Sequence, residues 1–163
     1  MAETDDIRKI IEQEQALVFA SFDEETAFAL GLQLRQRAQK NRLVVNIDIR
    51  LWDRPLFYAA LPGSTAANAE WARRKINSVR HFQKPSYRLF LETGDQVVPE
   101  RHGLANADFV FAGGAFPIRL DTGLAIGAVA VSGLPQREDH NLVVAALCEH
   151  LGLEAQHLAL GGH

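Results

Sequence analysis

The stretch 43–52 constrains this chain most. Leu43, Val45, Ile47, Ile49 and Leu51 alternate with Val44, Asn46, Asp48, Arg50 and Trp52. A period of two is the signature of a strand, here with one apolar face to bury and one mostly polar face. Asp53-Arg54-Pro55 then turns the chain, and residues 56–61 return as a hairpin partner that ends at Pro62-Gly63. A second hairpin is expected from strands 116–120 and 124–131 around Asp121-Thr122-Gly123. Two hairpins require an antiparallel sheet, and the segments between them must bury their own apolar stripes on it.

Those segments read mostly as helices. Thr4, followed by Asp5 and Asp6, caps a first helix that reaches Gln15, and residues 17–20 form a short strand. Ser21-Phe22-Asp23-Glu24 has the spacing of a capping box with Ser21 and Glu24 as its pair. The helix it opens carries Ala27, Leu30, Gly31, Leu34 and Ala38 on one face. A third helix starts at Ser64 or Thr65 and runs to about Phe82, and residues 87–92 read as a strand stopped by Thr93-Gly94-Asp95. Residues 95–108 are loop-rich, and 109–111 read as a further strand. The last helix spans about 136–151, with Gly152 placed to end it in the left-handed conformation. The expected fold class is α/β (α+β), an antiparallel sheet of five to six strands with helices on both faces. One domain covers 1–163, with a flexible tail expected from about 155, where His157 and His163 lie.

With 163 residues, the chain can bury one core. A net charge of −3 gives no electrostatic basis for binding nucleic acid or an anionic membrane surface, and no apolar run reaches the length of a membrane span. Residues 1–15 are acidic and polar, unlike a signal peptide. Cys148 is the single cysteine, which excludes an internal disulfide and a thiolate zinc site. A cytoplasmic setting is the simplest expectation.

On the third helix, Ala69, Ala72, Ile76, Val79 and Phe82 share an apolar arc, and Lys75 falls inside it. A lysine there snorkels, pairs, or lines a pocket for an anionic ligand, and Trp71 at the edge of the arc supplies a wall in the last case. Arg73, Asn77, Arg80 and Lys84 form a separate polar stripe, either a solvated face or an anion-binding surface. His140 sits on the inward face of the last helix with Val144, Leu147, Cys148 and Leu151. It is a hydrogen-bonded structural residue, a haem ligand or an acid/base group. Glu138 and Asp139, in the first turn, suit the positive end of that helix. Gly113-Gly114 permits either a strand bend or close approach of a ligand to the backbone. Asp48, on the polar strand face, and Asp53, in a turn, are expected to be solvated. Dinucleotide and phosphate-loop motifs are absent, and no nucleophile–base arrangement emerges.

Three stretches carry a resemblance: Gly113-Gly114-x-Phe116-Pro117-Ile118, Gly127-x-Val129-x-Val131-Ser132-Gly133, and Asp139 followed by Val143 and Leu147. With Trp71-Ala72-x-x-Lys75, they are similar to the haem-degrading-domain superfamily, also called GlcG/HbpS-like, in its branch of small proteins of unassigned function. The resemblance implies a profilin-like fold, self-assembly into homo-oligomers, and a pocket for a haem-like or small anionic ligand. No cofactor is expected to be required, and haem is the one candidate that the resemblance suggests. Trp71, Lys75, Gly113, Gly114, Ser132, Gly133, Asp139 and His140 are the candidate ligand-binding residues. The favoured function is a cytosolic oligomeric binding protein for a small anionic or haem-like molecule. The alternatives are an enzyme acting on haem or a small acid through His140 or Lys75, and a non-catalytic interaction scaffold using Trp52 and the basic stripe.

Overall fold

The computed structural model describes residues 2–161. Met1, Gly162 and His163 lie outside the described residues, and with them the expectation placed on His163. In chain order the elements are α1 (Ala2–Ala16), β1 (Val18–Phe19), α2 (Glu24–Lys40), β2 (Asn46–Leu51) and β3 (Arg54–Ala60). They continue with α3 (Ala66–Phe82), α4 (Ser86–Thr93), a 3-10 turn (Glu100–His102), β4 (Ala115–Leu120), β5 (Ala125–Ser132), α5 (Gln136–Leu151) and α6 (Ala155–Leu158). The strands form one sheet in the order β1-β4-β5-β2-β3.

Alternation along the strands divides the core. Ile47, Ile49, Phe116, Ile118, Val129 and Val131 face α2 and α5, and they are buried with Leu30, Leu34, Val143 and Leu147. The intervening residues Ala115, Ala128 and Ala130 face α3, where they meet Ala72, Ile76 and Val79. Small side chains on this second face let α3 settle close to the sheet backbone, and that closeness shapes the site described below.

The sheet is mixed rather than wholly antiparallel. β1 pairs in parallel with β4, and the Asp121 N–H extends the contact by donating to the Phe19 carbonyl at 2.8 Å. A strand of two residues is too short for any pattern to specify its direction. The polar strand face is also not solvated as expected. Asn46 and Asp48 are 1% and 6% exposed, and burial raises the Asp48 carboxyl above the ordinary carboxylate range against the opposing pull of Arg50.

Two expected strands are not strands. Residues 86–93 form α4, because Pro85 precedes its first turn and Gly94 ends it at φ 74. Tyr87, Leu89 and Leu91 alternate, but Tyr87 and Leu91 also lie one helical turn apart, and they pack together against Ile10 and Leu160. Residues 109–111 form no strand and do not join the sheet. The buried Ser78 hydroxyl donates to the Val110 carbonyl at 2.8 Å and accepts from the Val110 N–H at 3.1 Å, in place of a neighbouring strand.

The cap of α2 differs by two residues from the expected one. Asp23, not Ser21, accepts from the Thr26 N–H at 2.9 Å, and the Thr26 hydroxyl accepts from the Asp23 N–H at 3.3 Å. The basic stripe holds a loop: Arg73 pairs with Glu70 and Asp108, and Asn77 donates to the Asp108 carbonyl. Trp52 donates its indole N–H to the Ala125 carbonyl at 3.0 Å and packs on the α3 face of the sheet.

The segment after α5 is packed in this structure. Lys9 donates to the His157 carbonyl at 3.0 Å, Gln13 to the Leu158 carbonyl at 2.7 Å, and Arg137 to the Gly161 carbonyl. Leu160 is 6% exposed.

Candidate ligand-binding site

Helix α3 begins with the Thr65 N–H donating to Asn68 Oδ1 at 2.8 Å. From there Asn68, Trp71 and Lys75 follow at helical spacing on the face turned toward the end of β5 and the start of α5. Lys75 is 3% exposed and the Asp139 side chain is similarly enclosed. The Lys75 ammonium donates to Asp139 Oδ2 at 3.1 Å and to the Val131 carbonyl at 3.2 Å. The second Asp139 oxygen, Oδ1, accepts from the Leu134 N–H at 3.0 Å and thereby fixes the turn that leads into α5.

Burial opposes the charge on both partners. It pushes the Asp139 carboxyl up to about 6, against the pull of Lys75 and of the Leu134 and Gly133 N–H groups. It pushes the Lys75 ammonium down, against the pull of Asp139. Moving a proton from Lys75 to Asp139 is therefore easier here than between the same groups in water.

This pair borders a cavity of about 430 Å³. Its other polar lining is uncharged: the carboxamides of Asn68, Gln96 and Gln136, the Ser132 hydroxyl and the indole of Trp71. Ala112, Leu134 and Pro135 supply apolar wall. Gln136 accepts from the Gly113 N–H through Oε1 at 3.0 Å, which leaves its amide NH2 as the end available to a ligand. The Arg74 guanidinium lies 5.1 Å from the Trp71 ring centroid and braces it. The cavity thus offers one buried amine matched by one carboxylate, several amide donors, and a flat aromatic wall.

Five of the eight candidate residues line this space: Trp71, Lys75, Ser132, Gly133 and Asp139. Gly113 and Gly114 stand behind it. Gly114 has φ 133, and a Cβ there would overlap the Val131 carbonyl and lie 2.8 Å from Lys75 Nζ. A Cβ at Gly113 would run into the Gln136 carbonyl. The pair admits other parts of the protein, so that the backbone can pass beside the lysine.

His140 adjoins Asp139 in sequence but points away from the cavity. It is 1% exposed, its Nε2 is 2.8 Å from Gln13 Oε1, and the rings of Tyr87 and Phe116 flank it. Because Gln13 Nε2 is committed to the Leu158 carbonyl, Gln13 Oε1 must accept, and His140 Nε2 carries the hydrogen. Burial lowers its pKa to about 3, with Arg137 acting in the same direction.

The sequence reading missed Asn68, Gln96, Gln136, Ala112, Leu134 and Pro135. Helical periodicity could have found Asn68, which lies three residues ahead of Trp71 and seven ahead of Lys75 on the same helix. Gln96, in a loop, gives no signal. Among the described residues, no cluster of three or more His, Cys, Asp or Glu is placed to hold a metal ion.

Comparison with known proteins places this arrangement in a family context. Residues 22–148 match the family model described as haem degrading protein HbpS-like. A UPF0303 protein of Mesorhizobium japonicum is 52% identical over 165 residues, covering 98% of this chain and 97% of its own. The crystal structure of Ybr137w protein superposes with a TM-score of 0.83 at 27% identity, covering 90% of this chain and 87% of that one. The crystal structure of a PduOC complex with haem gives a TM-score of 0.62 at 22% identity, covering 80% of this chain and 94% of that one.

Proposed function

The chain belongs to the HbpS-like family of haem-degrading proteins, and from that premise we propose that it binds a small, singly charged acid between α3 and the start of α5. The supporting observation is the buried Lys75 amine bordering a cavity that is lined, apart from its partner Asp139, by uncharged polar groups. A carboxylate bound there gains amide hydrogen bonds from Asn68, Gln96 and Gln136 and the favourable end of the α5 dipole. Trp71 offers its face to the rest of the ligand. The volume of about 430 Å³ falls in the range of small-molecule sites.

Haem is the competing reading, because a fold neighbour has been solved with it. The residues around this cavity do not fit haem. None of the lining residues carries an imidazole, thiol or thioether to ligate iron, and His140 is turned onto Gln13.

Thermal melts and intrinsic fluorescence across a panel of small acids test the proposal. A binding acid raises Tm and perturbs Trp71 emission, and Lys75→Met and Trp71→Ala lose both effects. Equal binding by Lys75→Met overturns the assignment. An absorbance scan with haem should show no Soret shift that depends on Trp71 or Lys75. A shift that does would replace the acid with haem.

Self-association into a homo-oligomer forms part of the same proposal. β3 is the outer strand of the sheet, and Tyr58 on it and Phe28 beside it are 51% and 55% exposed. Light scattering of the intact chain tests this, and a monomer at all concentrations excludes it.

A further inference from the structure

An ion pair that only fastened α3 to α5 would not need to border a cavity. Lys75 does border one, and two of its directions are already fixed, toward Asp139 Oδ2 and the Val131 carbonyl. Asp139 Oδ1 is tied to the Leu134 N–H, so Oδ2 alone faces the amine. The site therefore holds an amine, an adjacent carboxyl able to take and return its proton, and uncharged amide donors around the space in front of them.

Resting on the acid-binding reading above, we infer that Lys75 forms an imine with the carbonyl carbon of a small 2-oxo acid, with Asp139 as its proton carrier. The ammonium first passes a proton to Asp139 Oδ2. The free amine attacks the carbonyl carbon, forming the C–N bond, while the carbonyl oxygen takes up a proton from the amine–carboxyl pair. The carbinolamine then loses its oxygen as water and becomes a protonated imine paired with the Asp139 carboxylate. One ammonium and one ketone give one iminium and one water, with no oxidant or reductant. Burial assists the first step, because it disfavours both charges of the resting pair. The substrate carboxylate is held by the carboxamides of Asn68, Gln96 and Gln136.

The test uses the intact protein with pyruvate as the carbonyl probe and lactate as its analogue without a carbonyl. Pyruvate is added, borohydride reduces any imine to a stable amine, and peptide mass mapping locates it. The expected result is a reduced pyruvate adduct on Lys75, with the exposed Lys40 and the more open Lys9 and Lys84 unmodified under the same conditions. Asp139→Asn should slow its formation many-fold, and Lys75→Arg should abolish it while keeping the positive charge. If pyruvate and lactate both raise Tm and no adduct appears on Lys75, the imine is overturned and the acid-binding reading stands. If neither raises Tm and no adduct forms, both fall. Labelling confined to the exposed lysines also overturns the imine.

Discussion

Lys75 and Asp139 lie 64 positions apart in sequence and meet at 3.1 Å, with side chains 4% and 2% exposed. The pair is made possible by small residues. Ala128 and Ala130 let α3 approach β5, and Gly114 keeps the space beside the ammonium clear. Three features of local sequence thus converge on one buried contact, which suggests the most direct energetic test.

Removing one partner should cost more than removing both. Lys75→Met leaves Asp139 buried without its cation and should destabilise by about 3–5 kcal/mol near neutral pH. Part of that loss should be recovered at lower pH, where the carboxyl protonates. The double variant Lys75→Met/Asp139→Leu should be less destabilised than Lys75→Met alone, and hence far less than the sum of the single variants, by chemical denaturation. Strict additivity would mean that the two groups do not interact.

His140 and Asp139 should give opposing pH dependences. Burial holds His140 at about 3, below its ordinary 6.5. Its contribution is therefore complete above the ordinary value and is lost as the pH falls toward the folded one. Burial raises Asp139 from 3.8 to about 6, so its contribution is complete below the lower value and is lost as the pH rises through the upper one. Between about pH 4 and 6 the two slopes oppose each other. His140→Gln should remove one of them, changing the slope by about 1.4 kcal/mol per pH unit so that stability falls toward neutrality more steeply than in the parent. Urea midpoints across this window check it, and superimposable profiles would contradict the buried neutral histidine.

Glycine positions should separate sharply. Gly114→Ala meets the Val131 carbonyl and the Lys75 amine and carries an unfavourable φ, so a loss above about 2 kcal/mol is expected. Gly94→Ala has a positive φ but open space around it, so about 1 kcal/mol is expected. Comparable losses at both positions would show that contact with the Val131 carbonyl and the Lys75 amine is not what restricts Gly114.

Ser78→Ala should loosen the segment that reaches the cavity wall. It removes both hydrogen bonds to Val110, two residues before Ala112, and should cost about 1–3 kcal/mol. Amide exchange should rise at Val110 more than at α5. Unchanged protection there would mean that another contact holds the segment.

Elements with strong local punctuation were legible in the sequence. The second hairpin and α5 were read nearly residue for residue, because Gly123 marks the turn and Gly152 ends the helix. α4 reads as a strand in the sequence because its apolar residues fit both a strand period and a single helical turn. The parallel pairing of β1 depends wholly on tertiary packing. At the site, Lys75 was visible as a charge inside an apolar arc. Its union with Asp139 was not, since nothing local specifies a contact across 64 positions. The carboxamides were missed because Asn and Gln suit a solvated surface equally well. His140 was correctly placed as inward, and only the fold shows that inward for that residue means away from the cavity.

The tether of residues 157–161 has a consequence of its own. Lys9, Gln13 and Arg137 each grip a carbonyl oxygen, a group that every residue presents. They recognise the route of the chain and not its lettering. Leu158, packed against the core, and Leu160, 6% exposed, impose the apolar side-chain requirement of this segment. Positions 156, 157 and 159 are exposed, and the side chains of Gln156 and His157 make only surface contacts with Glu154, so a labelling residue placed there should ride on a fixed backbone.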